Sequence, residues 1–212
     1  MSGHLSVMPA VSLDPSDTSE PRVQTPSGLK KLHKYSVEEY FALERVSEIR
    51  LEYVDGGVIP MSGESLAHNQ ITGNFYARFA LAFADRSCAV YIESVRMRVS
   101  PAKYRYPDII ALCGEPLTDN GNPPALLNPA IIVEVLSAST QATDRGEKLI
   151  EYQQIPTLTD YILAEQETIS VAHYARQGAD HWTLTEYTHL TDILSLASLD
   201  VTMTLADVYR KV

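Results

Sequence analysis

Two acids stand where acids are costly. Glu134 lies inside "AIIVEVLS", flanked by Val133 and Val135, and Asp108 opens the apolar run "DIIALC" directly after Pro107. Burying an unpaired carboxylate costs several kcal/mol. Proline has no N–H and so belongs at a strand start or edge, which puts Asp108 at a strand mouth. Two carboxylates on adjacent strands repel unless one keeps its proton or a cation lies between them. Mg²⁺ takes one or two protein carboxylates and keeps several waters, so the pair Asp108 and Glu134 suits a shared Mg²⁺ or Mn²⁺. The competing reading for either acid alone is a salt-bridged or protonated core residue, and it weakens for the pair because both interrupt apolar strands within one compact segment.

The segment "TDRGEKLIEYQQ" adds Asp144, Lys148 and Tyr152 at i, i+4 and i+8, one helical face. Lys148 on that face could bring its ammonium to a water or a developing oxyanion beside the two acids. The competing reading is a solvated helix face with an Asp144–Lys148 ion pair. Glu52, in "LEYVDGG", is a further acid of the same kind, or a polar residue turned outward. His68, early in a long helix, points at the site or is a satisfied helix histidine. Arg96, Arg98, Lys103 and Arg105 precede Asp108 and could touch a nucleic-acid backbone, or form an ordinary solvated strand face and turn. No Walker loop, dinucleotide fingerprint, nucleophile elbow or zinc spacing occurs. His173, His181 and His189 have no ligand spacing.

These residues need a scaffold. Ser36 followed by Glu39 reads as a capping box opening the first helix. Asp55-Gly56-Gly57 between alternating runs predicts a hairpin. Leu66, Ile71, Phe75, Phe79 and Phe83 recur at roughly helical spacing and predict the longest helix. "AVYIESVRMRVS" alternates as one strand, with Val95, Met97 and Val99 on one face, and "YPDIIALC" and "AIIVEVLS" follow as strands. "LTDYILAE", "TISVAHYAR" and "HWTLTEYT" are three more, and "TLADVYRKV" is a terminal helix. Helices alternating with groups of strands predict an α/β (α+β) domain, a central mixed β-sheet flanked by helices.

Residues 1–30, rich in Ser, Pro, Thr and Asp, read as a disordered tail before a single domain over 31–212. No apolar run approaches the ~20 residues that cross a bilayer, so no membrane partner is expected. The N-terminus lacks a signal-peptide pattern, which makes a cytoplasmic location the expectation. Cys88 and Cys113 are expected as reduced, buried thiols. The formal net charge of −10 opposes a broad electrostatic grip on nucleic acid while suiting a carboxylate site for a divalent cation.

Taken in order, "LEYVDGGVI", "SLAHNQI", "YPDII", "NPAIIVEVLSAST", the "D...K...Y" helix and "TDYILA" resemble the Uma-two restriction-endonuclease family of the PD-(D/E)XK nuclease superfamily. The resemblance runs from about residue 33 to the C-terminus. It implies a restriction-endonuclease-like core and Mg²⁺-dependent hydrolysis of phosphodiester bonds. DNA is expected ahead of RNA as substrate, and a homodimer is expected because cutting two strands calls for two sites and C₂ pairing is the commonest symmetry. On that template Asp108 and Glu134 are the metal acids and Glu52 resembles the early acid. The superfamily lysine normally follows the second acid by two residues; Leu136 stands there, and Lys148 is the substitute. The alternative is a catalytically degenerate nuclease-fold module that binds nucleic acid or a protein partner.

Overall fold

Near-continuous runs of branched apolar residues make strands that bury both faces, and such strands (Ile109–Cys113, Ile131–Leu136 and Asp160–Glu165) form the middle of a six-stranded sheet. The computed structural model describes residues 33–61, 63–179 and 181–212, so the tail expected over 1–30 lies outside the described residues. The central sheet comprises β3 (Cys88–Ile92), β6 (Ile109–Cys113), β7 (Ile131–Leu136), β8 (Asp160–Glu165), β9 (Val171–Arg176) and β10 (Trp182–Tyr187), in the order β10-β9-β8-β7-β6-β3. β7 and β8 run parallel; the other neighbours are antiparallel, so the sheet is mixed as expected.

The parallel pair needs a crossover, and the helical segment between them provides it. α3 (Gln141–Thr143), a π-helical stretch (Asp144–Lys148) and α4 (Leu149–Gln153) follow one another without a break. Period two then sorts β7. Ile131, Val133 and Val135 join Ile71, Phe75 and Phe79 of α2 (Leu66–Ala82) in one core. Ile132 and Leu136 join Tyr152, Ile155 and Leu158 in the other. Glu134 shares the second parity, so it faces the crossover helix.

A second, four-stranded antiparallel sheet stands beside the first: β2 (Gly57–Pro60), β1 (Leu51–Val54), β5 (Lys103–Arg105) and β4 (Met97–Ser100), in that order. Its hairpin turns on Asp55 and Gly56, both at positive φ (49° and 93°), the backbone that Asp-Gly adopts readily. α1 (Val37–Val46) starts with the expected capping box between Ser36 and Glu39 and buries Tyr40 against Tyr53 and Tyr104.

Several expectations are corrected. "AVYIESVRMRVS" is two strands in two sheets, broken where Glu93 and Ser94 take positive φ; its alternation persists through the break and hides it. Arg96 therefore turns inward rather than outward. The strand β5 is too short to show periodicity. The hairpin of β11 (Ile193–Leu196) and β12 (Val201–Thr204), which helps α5 (Leu205–Val208) close the α2 core, was not foreseen. Of the residues at helical spacing, Leu66 alone stays in solvent, at 92% exposure, because the helix begins there, one residue after its cap Ser65. Cys88 and Cys113 are a disulfide rather than reduced thiols: the β3–β6 register sets them directly opposite, a proximity that local spacing does not reveal. Neither is fully buried.

Candidate active site

The end of β7, the start of β6 and the π-helical stretch converge on one cluster. Asp108 turns across β7 and its Oδ2 accepts the Val135 N–H at 2.7 Å. His68, on the first turn of α2, sets its Nε2 3.2 Å from the same oxygen. Glu134 Oε1 accepts from Lys148 Nζ and from the Tyr152 hydroxyl, each at 2.9 Å. Lys148 also lies 2.8 Å from Asp144 Oδ1, a close charge contact without hydrogen-bond alignment. The wider π turn keeps Asp144 and Lys148 buried on the face that carries Tyr152, and Tyr161 donates to the Asp144 carbonyl at 3.1 Å. Irregular helical turns of this kind recur at functional sites.

The electrostatics follow from burial. Loss of water pushes the Glu134 carboxyl well above its usual range; Lys148 opposes this, while Asp144 and Asp108 add to it. Burial alone would lower the Lys148 pKa, but the surrounding Glu134, Glu52 and Asp144 raise it, so the ammonium keeps its proton. His68 behaves similarly: burial disfavours its charge, and Asp108, Glu64 and Glu93 outweigh that and raise it. The site is thus several acids around one buried lysine and one histidine.

Hydrogen bonds run to Oδ2 of Asp108 and Oε1 of Glu134; the other oxygen of each accepts none among the described residues. Two oriented carboxylates with an oxygen to spare fit a hard divalent cation that keeps waters. Among the described residues no group of three or more His, Cys, Asp or Glu is placed to hold a metal ion, so a cation here would rest on the two carboxylates and water.

Two hollows open beside the cluster and share Met61 and Glu64. The larger, about 470 Å³, reaches Asp108 and is also lined by Arg50, Glu93 and Tyr106. The other, about 340 Å³, reaches Lys148, Asp144 and Glu52. Glu134 lines neither and is reached through Lys148, which does line the second.

Other expected residues are placed differently. Glu52 is buried, not outward, and both its oxygens are engaged, by Arg105 at 2.9 Å and by the Tyr106 N–H at 3.2 Å. Arg105 is 1% exposed and held by Glu52, Glu151 and Glu147, so it has no free edge for a phosphate. Arg96 is likewise buried, paired with Glu44 and set over the Phe41 ring. Lys103 pairs with Glu151 and Asp55, and Arg98 lies 3.8 Å from Asp119. Arg96 and Arg105 are thus buried in ion pairs rather than set on an outer strip, while Arg98 and Lys103 stay partly exposed beside their acids. Glu64 and Arg50 line the hollows and were not singled out. Glu64 sits four residues before His68, 3.7 Å from its ring, a spacing that was legible.

The chain matches the family described as "Putative restriction endonuclease" (Uma2) over residues 37–206. It belongs to the Uma2 family. Two Synechocystis sp. (strain ATCC 27184 / PCC 6803 / Kazusa) proteins are similar to it. Uncharacterized protein sll1609 is 33% identical over 149 residues, covering 70% of this chain and 84% of the relative. Uncharacterized protein slr1290 is 29% identical over 178 residues, covering 84% and 92%. A crystal structure described as a putative nuclease belonging to DUF820, from Anabaena variabilis ATCC 29413, superposes with a TM-score of 0.66 at 16% identity, over 82% of this chain and 97% of that one. At that identity the likeness is one of fold, and it places this Uma2 chain in the restriction-endonuclease-like architecture. Asp108 immediately before β6, Glu134 on β7 and Lys148 in the π-helical stretch all lie within the span of the Uma2 match. Among the described residues, no helix is long and apolar enough to cross a membrane.

Proposed function

We propose that the protein is a Mg²⁺- or Mn²⁺-dependent nuclease that hydrolyses DNA phosphodiester bonds. Family membership supports the reaction class. The observation that carries the site is the meeting of Lys148 and Tyr152 on one oxygen of Glu134, next to an Asp108 whose Oδ2 is fixed by Val135 and His68.

Asp108 and Glu134 would hold the cation through their remaining oxygens. A bound Mg²⁺ supplies polarisation of a phosphate oxygen and acidifies a coordinated water. The rest is done by the chain itself. The Tyr152 hydroxyl and the Val135 N–H fix the orientation of the two carboxylates, so that little reorganisation accompanies the reaction. Lys148, charged and buried beside them, meets negative charge as it develops on the phosphate and orients an attacking water. His68 holds Asp108 and, charged, tempers the repulsion among the acids.

The test is nicking of supercoiled plasmid with Mg²⁺ or Mn²⁺, with circular dichroism to establish folding. Wild type nicks; Asp108→Asn and Glu134→Gln, folded, lose at least about a hundredfold, the scale of a lost metal ligand or its support. No metal-dependent nicking by wild type, or equal nicking by both variants, refutes the reading. One observation favours a second reading, a nuclease-fold binding module without catalysis: Lys148 by itself neutralises much of the charge of Glu134 and Asp144. DNA binding without nicking would establish that alternative.

A further inference from the structure

The larger hollow holds an unusual combination. Arg50 projects into it with Glu64, Glu93 and Asp108, and it makes no ion pair among the described residues. Its guanidinium carbon stands 5.8 Å from the centroid of the Tyr106 ring, and that ring is fixed because its hydroxyl donates to Glu44. Arg96, Arg98, Lys103, Arg105 and Lys148 are all paired with acids. A phosphate entering this acidic hollow therefore meets one available guanidinium, propped on an aromatic face and suited to bidentate contact. The rim beside it is apolar: Leu66 at 92% exposure, Ile49 and Met61.

Size completes the argument. A hollow of about 470 Å³ is of small-ligand scale. It takes one or two nucleotides and not the width of a duplex. A chain of net charge −10 with its other nearby cations neutralised also lacks the many phosphate contacts by which proteins grip double-stranded DNA. Binding through one phosphate clamp and an apolar surface for a base is the pattern of single-strand recognition.

We propose that the substrate enters this hollow as an unpaired strand, with a phosphate on Arg50 and a base face against Ile49, Met61 and Leu66. This rests on the reading of the site as a phosphodiester hydrolase and adds to it the form of the substrate. Arg50 and Leu66 are positioning residues; the reacting phosphate lies further in, toward Asp108.

The test is fluorescence anisotropy in EDTA, which stops metal-dependent cleavage, with short fluorescein-labelled oligonucleotides. The probes are single-stranded DNA, the same sequence as a duplex, and single-stranded RNA. Wild type binds the single strands more tightly than the duplex. Arg50→Ala raises Kd roughly tenfold and lowers the slope of log K against log salt by about 0.7, the loss of one phosphate contact on a single strand. Leu66→Ser, a change at an exposed site, raises Kd roughly fivefold and leaves the salt slope alone, since it removes apolar contact only. Arg50→Lys recovers part of the affinity. Equal or tighter duplex binding, an Arg50→Ala variant that binds like wild type, or no binding of any probe overturns the proposal. Plasmid nicking without Arg50-dependent binding leaves the cleavage reading standing and sinks this one; Arg50-dependent strand binding without nicking does the reverse.

Discussion

Lys148→Met is the most informative single change, because it removes the only lysine among the buried acids of the cluster while keeping the length of the side chain. In the folded protein Lys148 touches Glu134 at 2.9 Å and Asp144 at 2.8 Å, and all three residues are buried. Removing one partner of a buried pair leaves an uncompensated charge and costs about 3–5 kcal/mol. For a chain of this length that lowers Tm by roughly 6–20 °C, at roughly 2–4 °C per kcal/mol. The sign of the pH dependence identifies the cause. Burial already holds the Glu134 carboxyl above its ordinary range, and Lys148 is the group that pulls it down. Without the ammonium its folded pKa climbs further. A carboxyl whose folded pKa exceeds its unfolded value favours folding below the unfolded value and loses that contribution as pH rises through the folded value. The deficit of Lys148→Met against wild type is therefore largest at pH 8 and shrinks toward pH 5. Adding Glu134→Gln recovers about half of the loss, since Asp144 is still left unpaired. Thermal melts and urea titrations in EDTA across that range measure all of this. A deficit below about 1 kcal/mol, the worth of an exposed pair, or one that is constant from pH 5 to 8, would show that Lys148 is not the counter-charge of this site.

Three more outcomes are expected. Tyr152→Phe removes a hydroxyl that donates to Glu134 and lowers stability by about 1.5–3 kcal/mol in urea denaturation, the worth of a hydrogen bond to a charged group. Arg105→Met strands the buried Glu52, while Glu151 keeps its pair with Lys103; it costs about 3–5 kcal/mol, and the salt slope of oligonucleotide binding stays as in wild type. Burial works against the charge of Asp160, but hydrogen bonds from His173, Ser198 and Thr159 hold its pKa below the ordinary value. Its contribution is present above the unfolded value of about 3.9 and is lost as pH falls through the folded value. Asp160→Asn is therefore destabilising at pH 7 in urea titrations, and its gap to wild type closes in acid.

How much of the fold was visible depended on how local its causes are. The capping box at Ser36, the Asp-Gly hairpin and the Phe75–Phe79 stripe are contained within a few residues and stand where the pattern puts them. What failed was non-local or sub-periodic. Three residues of β5 cannot display a period. The kink at Glu93 and Ser94 changes two dihedrals without disturbing the alternation around it, so one pattern covers strands of two different sheets. The Cys88–Cys113 bond follows from register across β3 and β6, which only the assembled sheet defines. The cations near Asp108 failed for a related reason: charge along a strand says nothing of which acids another element brings. Glu52 comes from β1 and Glu151 from α4, and together they bury Arg105.

The lysine shows why residue chemistry travels better than motif spacing. Position 136 has the parity to face the site from β7, where the superfamily pattern would place a lysine, yet Leu136 packs there with Ile132, Tyr152 and Leu163. What the acids need is an ammonium at hydrogen-bonding distance, and a strand two residues on or a helix fourteen residues on can each deliver it. The helical route carries its own requirement. Asp144, Lys148 and Tyr152 must all point at β7, and the π-helical stretch spanning Asp144 to Lys148 sets that aim. Spacing of four and eight could suggest the shared face but not its direction, since a solvated face has the same period. Direction was decided by the partners: an unpaired Glu134 on an otherwise apolar strand is a strong reason for the adjacent helix to turn its only lysine inward, and a buried lysine in turn requires the acid.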